Sequence, residues 1–170
     1  MTVRRITSLG IMLALIFALS SLENALPPLP FLPPGVKPGL SNIMVMYCAF
    51  FFRKREAFLL AFLKSGFVLL TRGAIAGIMS FAGGMISVSI ITLLLALFGE
   101  RISVAAVSVS GALAHNFGQL AASSLILANT YTFWYFPVLA VSGVLFGIVT
   151  GITLKALTPA LGRVLRDKDV

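Results

Sequence analysis

Acidic residues are scarce in this chain: five Asp and Glu stand among 170 residues, against thirteen Lys and Arg. Both aspartates, Asp167 and Asp169, fall in the last few positions, and Glu23, Glu56 and Glu100 lie far apart. That pattern excludes a magnesium site of clustered carboxylates, because a hard divalent cation draws on several oxygen ligands at once. Cys48 is the single cysteine, so no intrachain disulfide can form and no cysteine-based zinc set exists. His115 is the single histidine, which excludes a bis-histidine haem site. Neither a nucleotide-binding phosphate loop nor a nucleophile with an evident base occurs. These absences lead us to expect no catalysis, no metal and no cofactor. Charge of either sign is also low, at 11% of residues, where a soluble domain carries about a quarter.

What is present is apolar. Hydrophobic residues make up 59% of the chain and mean hydropathy is +1.05, so a lipid bilayer is the expected solvent for most of the surface. The apolar runs predict an all-α integral membrane protein, a compact bundle of about six short transmembrane helices forming one domain over 1–170. The spans fall at 6–22, 39–52, 57–71, 73–98, 102–127 and 138–157. Six of the eight prolines lie between Pro27 and Pro38, which makes 23–38 a stiff outer loop, suited either to capping the bundle or to acting as a spacer. Spans 39–52 and 57–71 are short against the roughly 20 residues that a perpendicular helix needs. Two short crossings are preferred to a re-entrant pair, which would carry Arg53, Lys54, Arg55 and Glu56 into the membrane.

The net charge of +8 fits helix orientation and not nucleic-acid binding. With the first residue inside, ten basic residues (Arg4, Arg5, Arg53, Lys54, Arg55, Arg101, Lys155, Arg163, Arg166 and Lys168) face the cytoplasm, and only Lys37 and Arg72 face outward. Both termini are therefore expected in the cytoplasm, with a polar tail at 158–170. A signal peptide over 1–22 is the competing reading, and it has no clear small-x-small cleavage site.

Small residues recur every fourth position in two spans: Gly10, Ala14 and Ala18 in the first, and Gly143, Gly147 and Gly151 in the last. Such spacing leaves a groove that another backbone can approach. The glycine series suits packing inside the bundle. The Gly10–Ala14–Ala18 face suits either that or docking of another protein's helix. Polar groups inside spans are costly and are candidates for function. Lys64 lies in the middle of the third. His115 and Gln119 share one face of the fifth, with Asn116 about 100° away, and an interhelical hydrogen-bond network is the structural alternative. At the outer end, Glu23, Asn24, Lys37, Asn42, Arg72 and Trp134 complete a candidate pocket for a small molecule. Trp134 and its aromatic neighbours also suit an interfacial belt. The excess of Lys37, Lys64 and Arg72 over Glu23 points to an anionic or amphipathic ligand.

The layout, with Ala14-x-x-x-Ala18 in the first helix, resembles the S-components of energy-coupling factor transporters. Longer words narrow the resemblance: Glu23-Asn24-Ala25, then Pro34 to Asn42 (PGVKPGLSN), and Gly111 to Gln119 (GALAHNFGQ). These resemble the Gx transporter family, also known as heptaprenyl diphosphate synthase component I. The resemblance implies a substrate-binding subunit in a prokaryotic cell membrane. Its first-helix alanines would meet a membrane coupling subunit, and two ATPase subunits would supply the energy. The second family name implies instead a noncatalytic membrane component of heptaprenyl diphosphate or quinone synthesis. A membrane scaffold for redox proteins is a third reading.

Overall fold

The structure is a computed structural model that describes residues 3–26 and 39–165, Glu100 by its backbone alone. Six α-helices follow in chain order: α1 Val3–Ala25, α2 Asn42–Phe51, α3 Lys54–Arg72, α4 Ala74–Phe98, α5 Val104–Ile126 and α6 Phe136–Leu165. Short 3-10 turns at Gly99–Arg101 and Thr130–Tyr135 precede α5 and α6. No strand occurs among the described residues, and the all-α bundle expected from the apolar runs is the fold. Three segments, Val3–Ala25, Ala74–Phe98 and Thr130–Leu165, are each long and apolar enough to cross a membrane. Leu70, Leu97, Leu125, Leu145 and Ile152 point outward and are exposed, a surface that water would not tolerate at this density and lipid does. This is a membrane protein.

The helix ends differ from the apolar runs in instructive ways. α3 begins at Lys54, inside the charged cluster, because Glu56 accepts the Arg53 N–H at 3.1 Å and closes its first turn. α6 continues through Pro159 to Leu165, so residues 158–165 are helix where a polar tail was expected. Leu154, Leu161 and Leu165 share one face at spacings of seven and four, and Leu165 is buried. Gly83-Gly84 does not break α4. The tight turn between α3 and α4 is made instead by Gly73, whose φ of +89° is open to glycine at no steric cost. The proline loop, 27–38, lies outside the described residues, as do Lys37 and the tail from 166 onward.

α2 has only ten residues, about 15 Å of helix, and it lies in the bundle's interior. Glu23, near the end of α1, holds Ser41 at its start. Arg5, in the first turns of α1, pairs with Glu56 just past its end. The two contacts set α2 antiparallel to α1 and put the 53–56 turn at the same end as Arg5. Every residue from Ile43 to Ala49 is buried. A helix apolar on all sides belongs in a core.

The other half of the bundle is closed by glycine. A Cβ on Gly118 would fall 2.8 Å from the Gly83 Cα, and one on Gly147 would fall 2.7 Å from the Val109 Cα. α4, α5 and α6 therefore meet backbone to backbone, as small residues permit in a membrane.

Candidate functional site

α1 ends on a carboxylate that turns inward. Glu23 is buried, accepts a bond from Ser41 Oγ at 3.0 Å and accepts the Leu40 backbone N–H. The start of α2 is thus satisfied by a side chain from another helix, because Ser41 supplies no cap of its own, and a negative group at a helix start complements the dipole. The residue after Ser41 is Asn42, whose Oδ1 accepts from Lys64 Nζ at 2.5 Å. One chain of contacts therefore links Glu23 through the α2 start to Lys64.

Lys64 sits midway along α3 and is only 7% exposed, so its head is enclosed by the surrounding helices. An ammonium has three donors, and Asn42 is the one acceptor it meets among the described residues. No carboxylate forms an ion pair with it there. Glu23, Arg72 and His115 lie within electrostatic reach. Beside the ammonium is a cavity of about 50 Å³, bounded by α2 to α6. Its polar wall is Asn42, Lys64, Ser87, Ser108 and Thr150, and its apolar wall includes Val45, Met46, Val88, Ile91 and Phe146. The hydroxyls have partners: Ser87 donates to the Gly111 carbonyl at 2.8 Å, and Ser108 and Thr150 pair at 2.8 Å. Lysine is the group left short of partners.

The other candidates lie elsewhere. Asn116 donates to the Leu139 carbonyl at 2.8 Å, a bond that ties α5 to α6 and realises the packing alternative. His115 and Gln119 press on Gly83 of α4. His115 Nδ1 is buried without a hydrogen-bond partner among the described residues. None of the three lines the cavity. Arg72 is exposed in the last turn of α3, where a cation complements the helix dipole. Asn24 is exposed at the end of α1. Trp134 is 80% exposed and borders a shallow surface groove with Thr130, Phe133 and Pro137. Of the ten candidates for the ligand pocket, Lys64 and Asn42 meet at the cavity and Glu23 braces them. Ser87 and Thr150 escaped notice because hydroxyls commonly bond the preceding helical turn. The legible signal was Ser87 four residues after Gly83, on the face turned toward α5.

The two small-residue series part company. Gly143, Gly147 and Gly151 are buried against α5. Gly10, Ala14 and Ala18 are all exposed, and nothing lies within 4 Å of a Cβ placed on Gly10.

Fold and site together define a helical membrane protein that encloses a small, lysine-bearing cavity within its bundle. The chain belongs to the heptaprenyl diphosphate synthase component I family, whose family model matches residues 12–157. No curated protein and no solved structure matches the chain.

Proposed function

We propose that this protein is the substrate-capturing subunit of an energy-coupling factor type uptake transporter, multi-pass in a prokaryotic cell membrane with both ends in the cytoplasm. The observation that carries the reading is the uncovered Gly10–Ala14–Ala18 face of α1. The equivalent glycine face of α6 is consumed inside the bundle, so the α1 face remains available for another protein's helix. The cavity beside Lys64 supplies a place for a small ligand. A membrane coupling subunit and two ATPases, the partners the resemblance implies, would provide the energy. Catalysis is not part of this reading, which assigns the chain capture of the ligand alone.

The test is copurification. The chain, coexpressed with a coupling subunit and its ATPases, is expected to assemble, and Ala14→Trp or Ala18→Trp is expected to abolish assembly while leaving the monomer folded. Assembly that survives both substitutions removes the docking role.

The family's description favours a second reading, a noncatalytic membrane partner of heptaprenyl diphosphate synthesis. The cavity, at about 50 Å³, is far below the roughly 300–1,000 Å³ of ordinary ligand pockets. A polyprenyl chain would then be held by the partner enzyme. Copurification with a soluble prenyl synthase, together with altered product chain length when this protein is missing, would favour that reading over transport.

A further inference from the structure

We infer that the cavity is a binding site for a small monoanion, a carboxylate head on a short apolar body, held by Lys64 with Asn42 as its fixed neighbour. The inference rests on the capture reading and names the ligand class that reading leaves open.

A buried ammonium is expensive to keep in a membrane interior unless it is compensated, and such residues are retained where they are used. Lys64 is compensated by one amide oxygen among the described residues, which leaves donors for an incoming acceptor. The cavity lies where those donors are. One positive charge in the wall matches one negative charge on the guest. A dianion would bring a second negative charge into a site where the carboxylate of Glu23 acts on Lys64 more strongly than the exposed Arg72 does. The remaining wall is chiefly Val45, Met46, Val88, Ile91 and Phe146, which favours a hydrocarbon body over a sugar or a nucleotide. About 50 Å³ limits that body to a few carbons. Ser108 can exchange its bond to Thr150 for one to a carboxylate oxygen, while Thr150 keeps donating to the carbonyls of its own helix. Glu23 acts as a positioning residue: its hold on Ser41 sets the register that brings Asn42 to the ammonium.

The experiment uses the full chain in nanodiscs, melted at constant ionic strength against acetate, propionate, butyrate and inorganic phosphate. A saturable rise in Tm with one of the carboxylates, and none with phosphate, is expected. Lys64→Gln should weaken that response by about tenfold or more, the scale of a charge-assisted bond. Asn42→Asp is the sharper variant, because it nearly preserves shape while placing a permanent carboxylate on the ammonium. It should fold and lose the response, and it decides the matter even if Lys64→Gln does not fold. No response to any carboxylate, an equal response to phosphate, or an unchanged response in Asn42→Asp would each overturn the inference. Failure of the Ala14 and Ala18 assembly test leaves this response untouched. Loss of the response with assembly intact refutes the ligand class alone.

Discussion

The α4–α5–α6 side of the bundle and the α1–α2–α3 side are held together by different physics. On the first, Gly83, Gly118 and Gly147 let backbones touch, and Asn116 adds a hydrogen bond between α5 and α6. On the second, side chains bridge the helices: Arg5 to Glu56, Glu23 to Ser41, Lys64 to Asn42, and the Phe17 and Phe67 rings stacked at 4.3 Å. Backbone contact is short-ranged and has one arrangement. A polar bridge between side chains can be exchanged for another with small movement. The cavity lies where the two regimes meet, so one wall is rigid and the other is set by replaceable bonds.

Breaking the rigid side should have the largest effect. Gly147→Leu would force a side chain into the Val109 backbone, and no rotamer relieves a main-chain clash. Loss of more than about 3 kcal/mol is expected, read as failure to elute as a monodisperse species from size exclusion. A well-folded Gly147→Leu protein would mean that α5 and α6 are not so closely set.

The bridged side should respond in proportion to what is left unpaired. Glu56→Ala removes the ion pair with Arg5, whose side chain is 13% exposed, together with the acceptor of the Arg53 N–H, and should cost about 3 kcal/mol. Arg5→Met combined with Glu56→Met removes both charges and should recover most of that loss in a thermal melt. A double variant no better than Glu56→Ala would show that the pair is not the tie between α1 and α3. Glu23→Gln keeps the size of the side chain and should cost only about 1–2 kcal/mol. Its specific signature is faster amide hydrogen exchange at the start of α2, at Leu40 and Ser41, with α5 and α6 unaffected. The smallest expected change in stability is that of Ala14→Trp, within about 0.5 kcal/mol, although the same substitution is the one expected to abolish assembly.

The legibility of this protein follows the same division. Long apolar runs announce helices by composition alone, and α1, α4, α5 and α6 fall where those runs lie. The glycine series of α6 could be read because periodic small residues have one common use. The Arg5–Glu56 tie could not, because its partners are 51 residues apart and nothing in either local pattern names the other. The candidate site was legible only in part. Lys64 stood out as a charge inside an apolar run. His115, Asn116 and Gln119 stood out equally and proved to lie between helices, because a polar residue in a span reports that it is buried but not against what.

The amino-acid sequence by itself determined the solvent, the helical class and the bias of basic residues toward one end, since each is a sum over local composition. Only the tertiary structure decided that α2 fills the core, that one small-residue face is used while the other is left open, and that Lys64 meets Asn42 beside an empty volume. Those depend on rotation and register between helices, which arise from side-chain packing between residues distant in the chain.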